Sequence, residues 1–109
     1  MTTVPQIQVG SQVIAKRATA VCDAGERGVC YEQYELAGRP GWSFIFQSGR
    51  YDGFSPDEVA TFLEVTGDVC QDMADYQFKN VWRLCQDFQR DRFAPAFHVK
   101  LHPDGDRDG

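Results

Sequence analysis

Histidine is almost missing from this chain. There are two, His98 and His102, both close to its end. A serine or cysteine becomes a nucleophile when a base is held beside it, and no Gly-x-Ser-x-Gly or similar elbow is present. Long apolar runs are missing too. None approaches the roughly 20 residues that a bilayer-spanning helix needs. The opening Met-Thr-Thr-Val-Pro-Gln has neither the basic start nor the apolar run of a secretory signal. The expectation is a cytoplasmic protein whose four cysteines, 22, 30, 70 and 85, stay as thiols.

Surplus basic charge is also missing. Residues 1–54 carry Lys16, Arg17, Arg27, Arg39 and Arg50 against Asp23, Glu26, Glu32, Glu35 and Asp52, which balance. Residues 55–109 carry six basic and eleven acidic side chains and so hold the whole net charge of −5. Affinity for nucleic acid rests on neutralising phosphates, so this balance disfavours DNA or RNA as a partner.

What is present is aromatic. Eight Phe, four Tyr and two Trp in 109 residues are more than a disordered chain carries. The length suits one domain with a single core. Gln12–Cys22 and Val29–Leu36 read as strands, separated by the turn cluster 23–28 with its two glycines. Ala37-Gly-Arg-Pro-Gly41 reads as a turn. Trp42–Gln47 alternates, with Trp42, Phe44 and Phe46 on one face and Ser43, Ile45 and Gln47 on the other. After a Ser48-Gly49 turn, Tyr51–Phe54 is a short strand. Short loops between such strands predict an antiparallel meander.

The pattern changes at Ser55-Pro56. Ser55 suits an N-cap, Pro56 the first helical position, and Glu58 completes a capping box. Val59, Phe62, Leu63 and Thr66 share a helical face, with Gly67 as C-cap. From Asp68, a second helix is expected with Cys70, Ala74, Phe78, Val81, Cys85 and Phe88 as its inner stripe. Met73, Trp82 and Leu84 widen that stripe. Asp72, Asp75, Lys79, Arg83, Asp87 and Arg90 form the solvent face, with Asp75 and Lys79 as an i,i+4 pair. The organisation expected is one α+β domain over 1–98, β-rich at 11–54 and helical at 55–92, then a flexible acidic tail at 99–109.

The first half resembles small SH3-like barrels of the Tudor and KOW type. The matching residues are Gly10, Val13, Ala15, Gly28, Val29, Phe44, Phe46, Gly49 and Phe54. The resemblance implies an SH3-like barrel. The residues alone allow equally a curled antiparallel sheet with two C-terminal helices packed on it. Such barrels mostly bind and seldom catalyse, using aromatics near their loops to hold peptides, modified side chains or nucleic acid. Here the candidates are Tyr31, Tyr34, Trp42, Tyr51 and Phe54, and a core under the helices has the same use for those rings. Glu32, Glu35 and Asp52 are placed to favour a cationic group over such rings.

Other chemistry is thinly represented. Cys85, His98 and His102 match the second half of a zinc-finger spacing, but the first half is absent, so no metal and no cofactor are expected. Asp52, Asp57 and Glu58 could serve as acid and base, though helix capping explains them. Gly25-x-x-Gly28 precedes a strand, not a helix, and is no phosphate loop. In a meander, Arg27 and Arg50 fall at one end and Arg39 at the other, so Arg27 and Arg50 form a candidate anion site. Cys22 and Cys30 flank a turn and could face each other, with core packing as the simpler role.

The leading expectation is a non-catalytic module that recognises a protein or peptide partner, a second copy of the chain included, through Tyr34, Trp42 and Tyr51 or through the stripe around Trp82. The alternatives are a small-molecule protein binding an organic cation, and a small enzyme using the junction carboxylates.

Overall fold

The computed structural model describes residues 7–93 and Phe97. His98, His102 and the tail expected from 99 lie outside the described residues. Within them the chain forms β1 (Ser11–Ala15), β2 (Arg27–Leu36), β3 (Arg39–Phe46), β4 (Tyr51–Phe54), α1 (Pro56–Phe62), β5 (Leu63–Val69), α2 (Gln71–Ala74) and α3 (Val81–Gln89). This is a small α+β domain. No helix among these is long and apolar enough to cross a membrane.

The five strands make one antiparallel sheet in the order β4-β3-β2-β1-β5. Strands β1 to β4 form the expected meander. The turn between β2 and β3 is tighter than the sequence suggests. Leu36 pairs with Arg39, so the loop is Ala37-Gly38, and both residues have positive φ, 53° and 79°. That is the signature of a two-residue hairpin whose twist matches its strands. Arg39, Pro40 and Gly41, expected in the turn, belong to β3 instead.

The sheet is not a closed barrel. Strands β4 and β5 are its edges, and they do not pair with each other among the described residues. Both faces are covered. The alternation of β3 sends Trp42, Phe44 and Phe46 to one face, where they pack with Val13, Cys30, Phe54 and, from α1, Val59. Val29, Tyr31 and Ile45 point the other way and pack with Met73 of α2, Leu84 of α3, Phe93 and Phe97. Each such ring or branched chain, fully buried, contributes about 2 kcal/mol relative to exposure. The four cysteines are free, and Cys22 and Cys30 fill the first core without bonding to each other.

The expected helices are corrected. The first starts as read: Ser55 Oγ accepts the Glu58 N–H at 3.2 Å, and Glu58 Oε1 accepts the Ser55 N–H at 2.9 Å. It ends at Phe62, where the Lys16 N–H donates to the Phe62 carbonyl and Lys16 Nζ to that of Ala60, both at 2.7 Å. Leu63-Glu-Val-Thr-Gly-Asp-Val then runs as a strand along β1, with Ala15 opposite Leu63 and Val13 opposite Val65. Leu63 and Thr66 suit a helical face and Leu63 and Val65 one face of a pleat, and the open edge of β1 decides for the pleat. Gly67, read as a C-cap, has φ +92° and lies where the β1–β5 register shifts. Left-handed glycine fits a bulge as well as a helix end.

The second helix is broken into two. The α2 segment is a single turn, residues 75–80 are not helical, and Asn80 Oδ1 caps α3 by accepting the Arg83 N–H at 2.9 Å. Asp75 accepts from Gln71 Nε2 at 3.1 Å, not from Lys79. Asp87, expected in solvent, is buried, whereas Trp82 is 68% exposed.

Candidate functional site

The second face of the sheet carries more than core. Cys30 pairs with Phe44 and Glu32 with Ser43, so Tyr31 is the extra residue of a bulge in β2. The bulge resets the alternation. Beyond it, Glu32 and Tyr34 lie beside Ser43 and Gly41, on the same side as Tyr31. Gly53 of β4 is opposite Ser43. The Tyr34 ring lies over Gly41 and its hydroxyl over Gly53, since a Cβ built on either glycine would run into them. Two strands thus give up side chains to seat one ring.

Around that ring sits a small polar group. Ser43 Oγ donates to Glu32 Oε1 at 3.3 Å. Tyr31 meets Tyr51 edge-on, with centroids 6.5 Å apart, and Phe78 at 4.8 Å. Burial, and then the charges of Glu32, Tyr51 and Asp52, push the Tyr31 hydroxyl up to about 12. Burial also raises that of Tyr34, followed by the charges of Glu32, Glu58 and Asp52. Both hydroxyls hold their protons more tightly than usual, under a negative local field.

Among the residues expected to bind, the structure brings Tyr31 and Tyr51 into contact and sets Tyr34 on the same face, while Asp52 lies in register with Phe44 at the β4 edge. Tyr31 is the buried floor of the group and Tyr51 is exposed. Trp42 and Phe54 do not join them. Both are buried on the opposite face, Phe54 edge-on to Phe44 at 5.6 Å. The Trp42 Nε1–H has no acceptor among the described residues, at a cost of about 1–3 kcal/mol.

Arg27 and Arg50 do lie at one end of the sheet, where the Gln47 N–H donates to the Arg27 carbonyl. Arg50 is already answered by carboxylates: Glu26 at 3.5 Å and Asp23 at 3.9 Å. Burial pushes the Glu26 carboxyl up, but the amides of Asp23 and Ser48 and the Arg50 charge outweigh it, and the net shift is downward. The arginine therefore ties two turns together.

Glu58 is occupied by the capping box, and Asp52 Oδ1 accepts the next residue's N–H at 2.7 Å. Among the described residues, no three His, Cys, Asp or Glu side chains gather in a metal-holding group. Sequence reasoning passed over Tyr76, Asp87 and Arg92, because an unbroken helix from 68 to 92 puts Asp87 on the outside. The buried Asp87 takes the Tyr76 hydroxyl at 2.7 Å and has Arg83 at 3.6 Å.

No family profile, curated protein or solved structure matches this chain.

Proposed function

We propose that this protein is a non-catalytic binding module, and that its tyrosine face takes a peptide segment of a protein partner carrying lysine or arginine. The observation that carries this is the placing of Tyr31, Tyr34 and Tyr51 on one face of the sheet, with Glu32 among them and Asp52 at the β4 edge. Tyrosine rings attract a cation through their faces, and the half-buried carboxylate of Glu32 beside them adds to that attraction. The face borders β4, whose outer edge has no neighbouring strand among the described residues. An extended peptide can pair there with its backbone while a basic side chain reaches the tyrosines. Four free cysteines suit a cytoplasmic setting.

The test is an NMR titration of labelled protein with two short peptides of equal length, one rich in Lys and Arg, the other in Asp and Glu. The basic peptide is expected to move the amides of β4 and Tyr34 saturably. Tyr51→Ala and Glu32→Gln should each weaken it about tenfold, or 1.4 kcal/mol. Equal responses to both peptides, or none, would refute the proposal. A response to free amines but to neither peptide would replace the peptide by a small organic cation.

A further inference from the structure

A hollow of about 400 Å³ lies between the 75–80 connection and α3, with no residue in common with the tyrosine face. Its size is within the range of small-molecule sites, roughly 300–1,000 Å³. Its walls include Tyr76, Lys79, Trp82, Arg83, Asp87 and Arg92.

The hollow is firmly built on one side. The Tyr76 hydroxyl is held by Asp87, and its ring meets Phe93 edge-on at 5.0 Å. The Arg92 guanidinium stands 5.0 Å from the Tyr76 ring centre. The end of α3 puts it there. The Asp91 N–H donates to the Phe88 carbonyl at 3.0 Å and the Arg92 N–H to that of Asp87 at 3.1 Å, with Asp91 left-handed at φ 61°. This is a Schellman close, here with Asp in the usual glycine position.

The charges are unequal. Lys79, Arg83 and Arg92 face Asp75 and Asp87, also on the wall, a surplus of one positive on a chain whose net charge is −5. Asp87 is matched by Arg83 and by the Tyr76 hydroxyl. Among the described residues, neither Lys79 nor Arg92 has a carboxylate within ion-pair distance. Beside them Trp82 leaves 68% of its surface in water. A flat ring laid on that indole gains buried area, and a guanidinium fixed over Tyr76 offers a planar fork to a carboxylate.

We propose that this hollow binds a small planar aromatic carboxylate, its ring on Trp82 and its single negative charge on Arg92 and Lys79. The two tryptophans provide the assay. Trp82 is at the rim and Trp42 is buried in the other core, so their indole N–H signals report separately. Titration with naphthoate is expected to move the Trp82 signal saturably and leave that of Trp42 in place. The matching naphthyl amine and cyclohexanecarboxylate should leave both in place. Lys79→Gln, at an exposed position, and Arg92→Gln should each weaken naphthoate about fivefold or more. Should Arg92→Gln fail to fold, Lys79→Gln decides alone. An unmoved Trp82 signal, an equal response to the amine, or a Trp82 signal that shifts with protein concentration alone would overturn the proposal. The last result would mean that a second copy covers the indole.

Discussion

Replacing Tyr76 by Phe isolates one hydroxyl. The ring stays, and with it the edge contact to Phe93 and the stacking of Arg92. What is lost is the 2.7 Å bond to Asp87, a carboxylate only 6% exposed. Hydrogen bonds to charged groups contribute about 1.5–3 kcal/mol, and the acceptor left behind here has little access to water. Arg83, at 3.6 Å, still faces the same oxygen and limits the damage. The expected loss is about 2 kcal/mol, or a melting temperature lower by about 10 °C for a domain of this size. Urea unfolding is the assay: the midpoint should fall at constant slope. Asp87→Asn combined with Tyr76→Phe should cost less than the sum of the two alone, since each removes the same bond. A loss under about 0.5 kcal/mol for Tyr76→Phe would show that Asp87 is hydrated in solution. The wall beside α3 would then not be fixed by this bond.

Two further outcomes are expected. Ser55→Ala removes one arm of the capping box and should cost about 1 kcal/mol in the same unfolding assay, with binding at the tyrosine face unchanged. Alkaline pH should also destabilise the fold. Cys30, Tyr31 and Tyr76 are each pushed up to about 12, from ordinary values of 9.0 for the thiol and 10.0 for the tyrosines, burial being the largest cause each time. The folded state holds these protons more tightly than the unfolded chain. Stability is therefore full below pH 9 and falls between 9 and 12. The tyrosinate absorbance that Tyr31 and Tyr76 contribute should rise together with the loss of circular dichroism, and ionisation of all four tyrosines complete before any unfolding would contradict it.

The legible parts of this fold were those in which local chemistry and tertiary need agreed. Tyr51–Phe54 is a strand as read, and Trp42, Phe44 and Phe46 share one buried face because period-two alternation leaves no other arrangement. Ser55, Pro56 and Glu58 mark the start of α1 because capping is a local matter. The errors began where a segment satisfied two periods. Residues 63–69 fit a helix and a strand, and only the vacant edge of β1, some fifty positions earlier, distinguishes them. Asp87 was misplaced for another reason: the break at 75–80 resets the phase of α3 against a helix counted from Asp68. In the candidate site, Tyr31 and Tyr34 differ by three positions, an odd number, so simple alternation puts them on opposite faces. The bulge at Tyr31 brings them together, and no residue type in that stretch announces it. Trp42 has no such rescue and stays in the core.

The placement of β5 shapes how the molecule comes into being. Strand β1 lies inside the finished sheet, yet its second neighbour is supplied by residues 63–69, after the whole meander and α1. Until that segment arrives, the meander has β1 as a bare edge, with the backbone groups that will meet β5 still unpaired. During synthesis from the ribosome this is the interval of greatest exposure to wrong pairing. The late closure also makes the β1–β5 contacts the long-range step of folding, the one expected to slow it. A permuted chain that began at α1 would place β5 before β1, so that the two could pair first and the meander could grow from a protected edge.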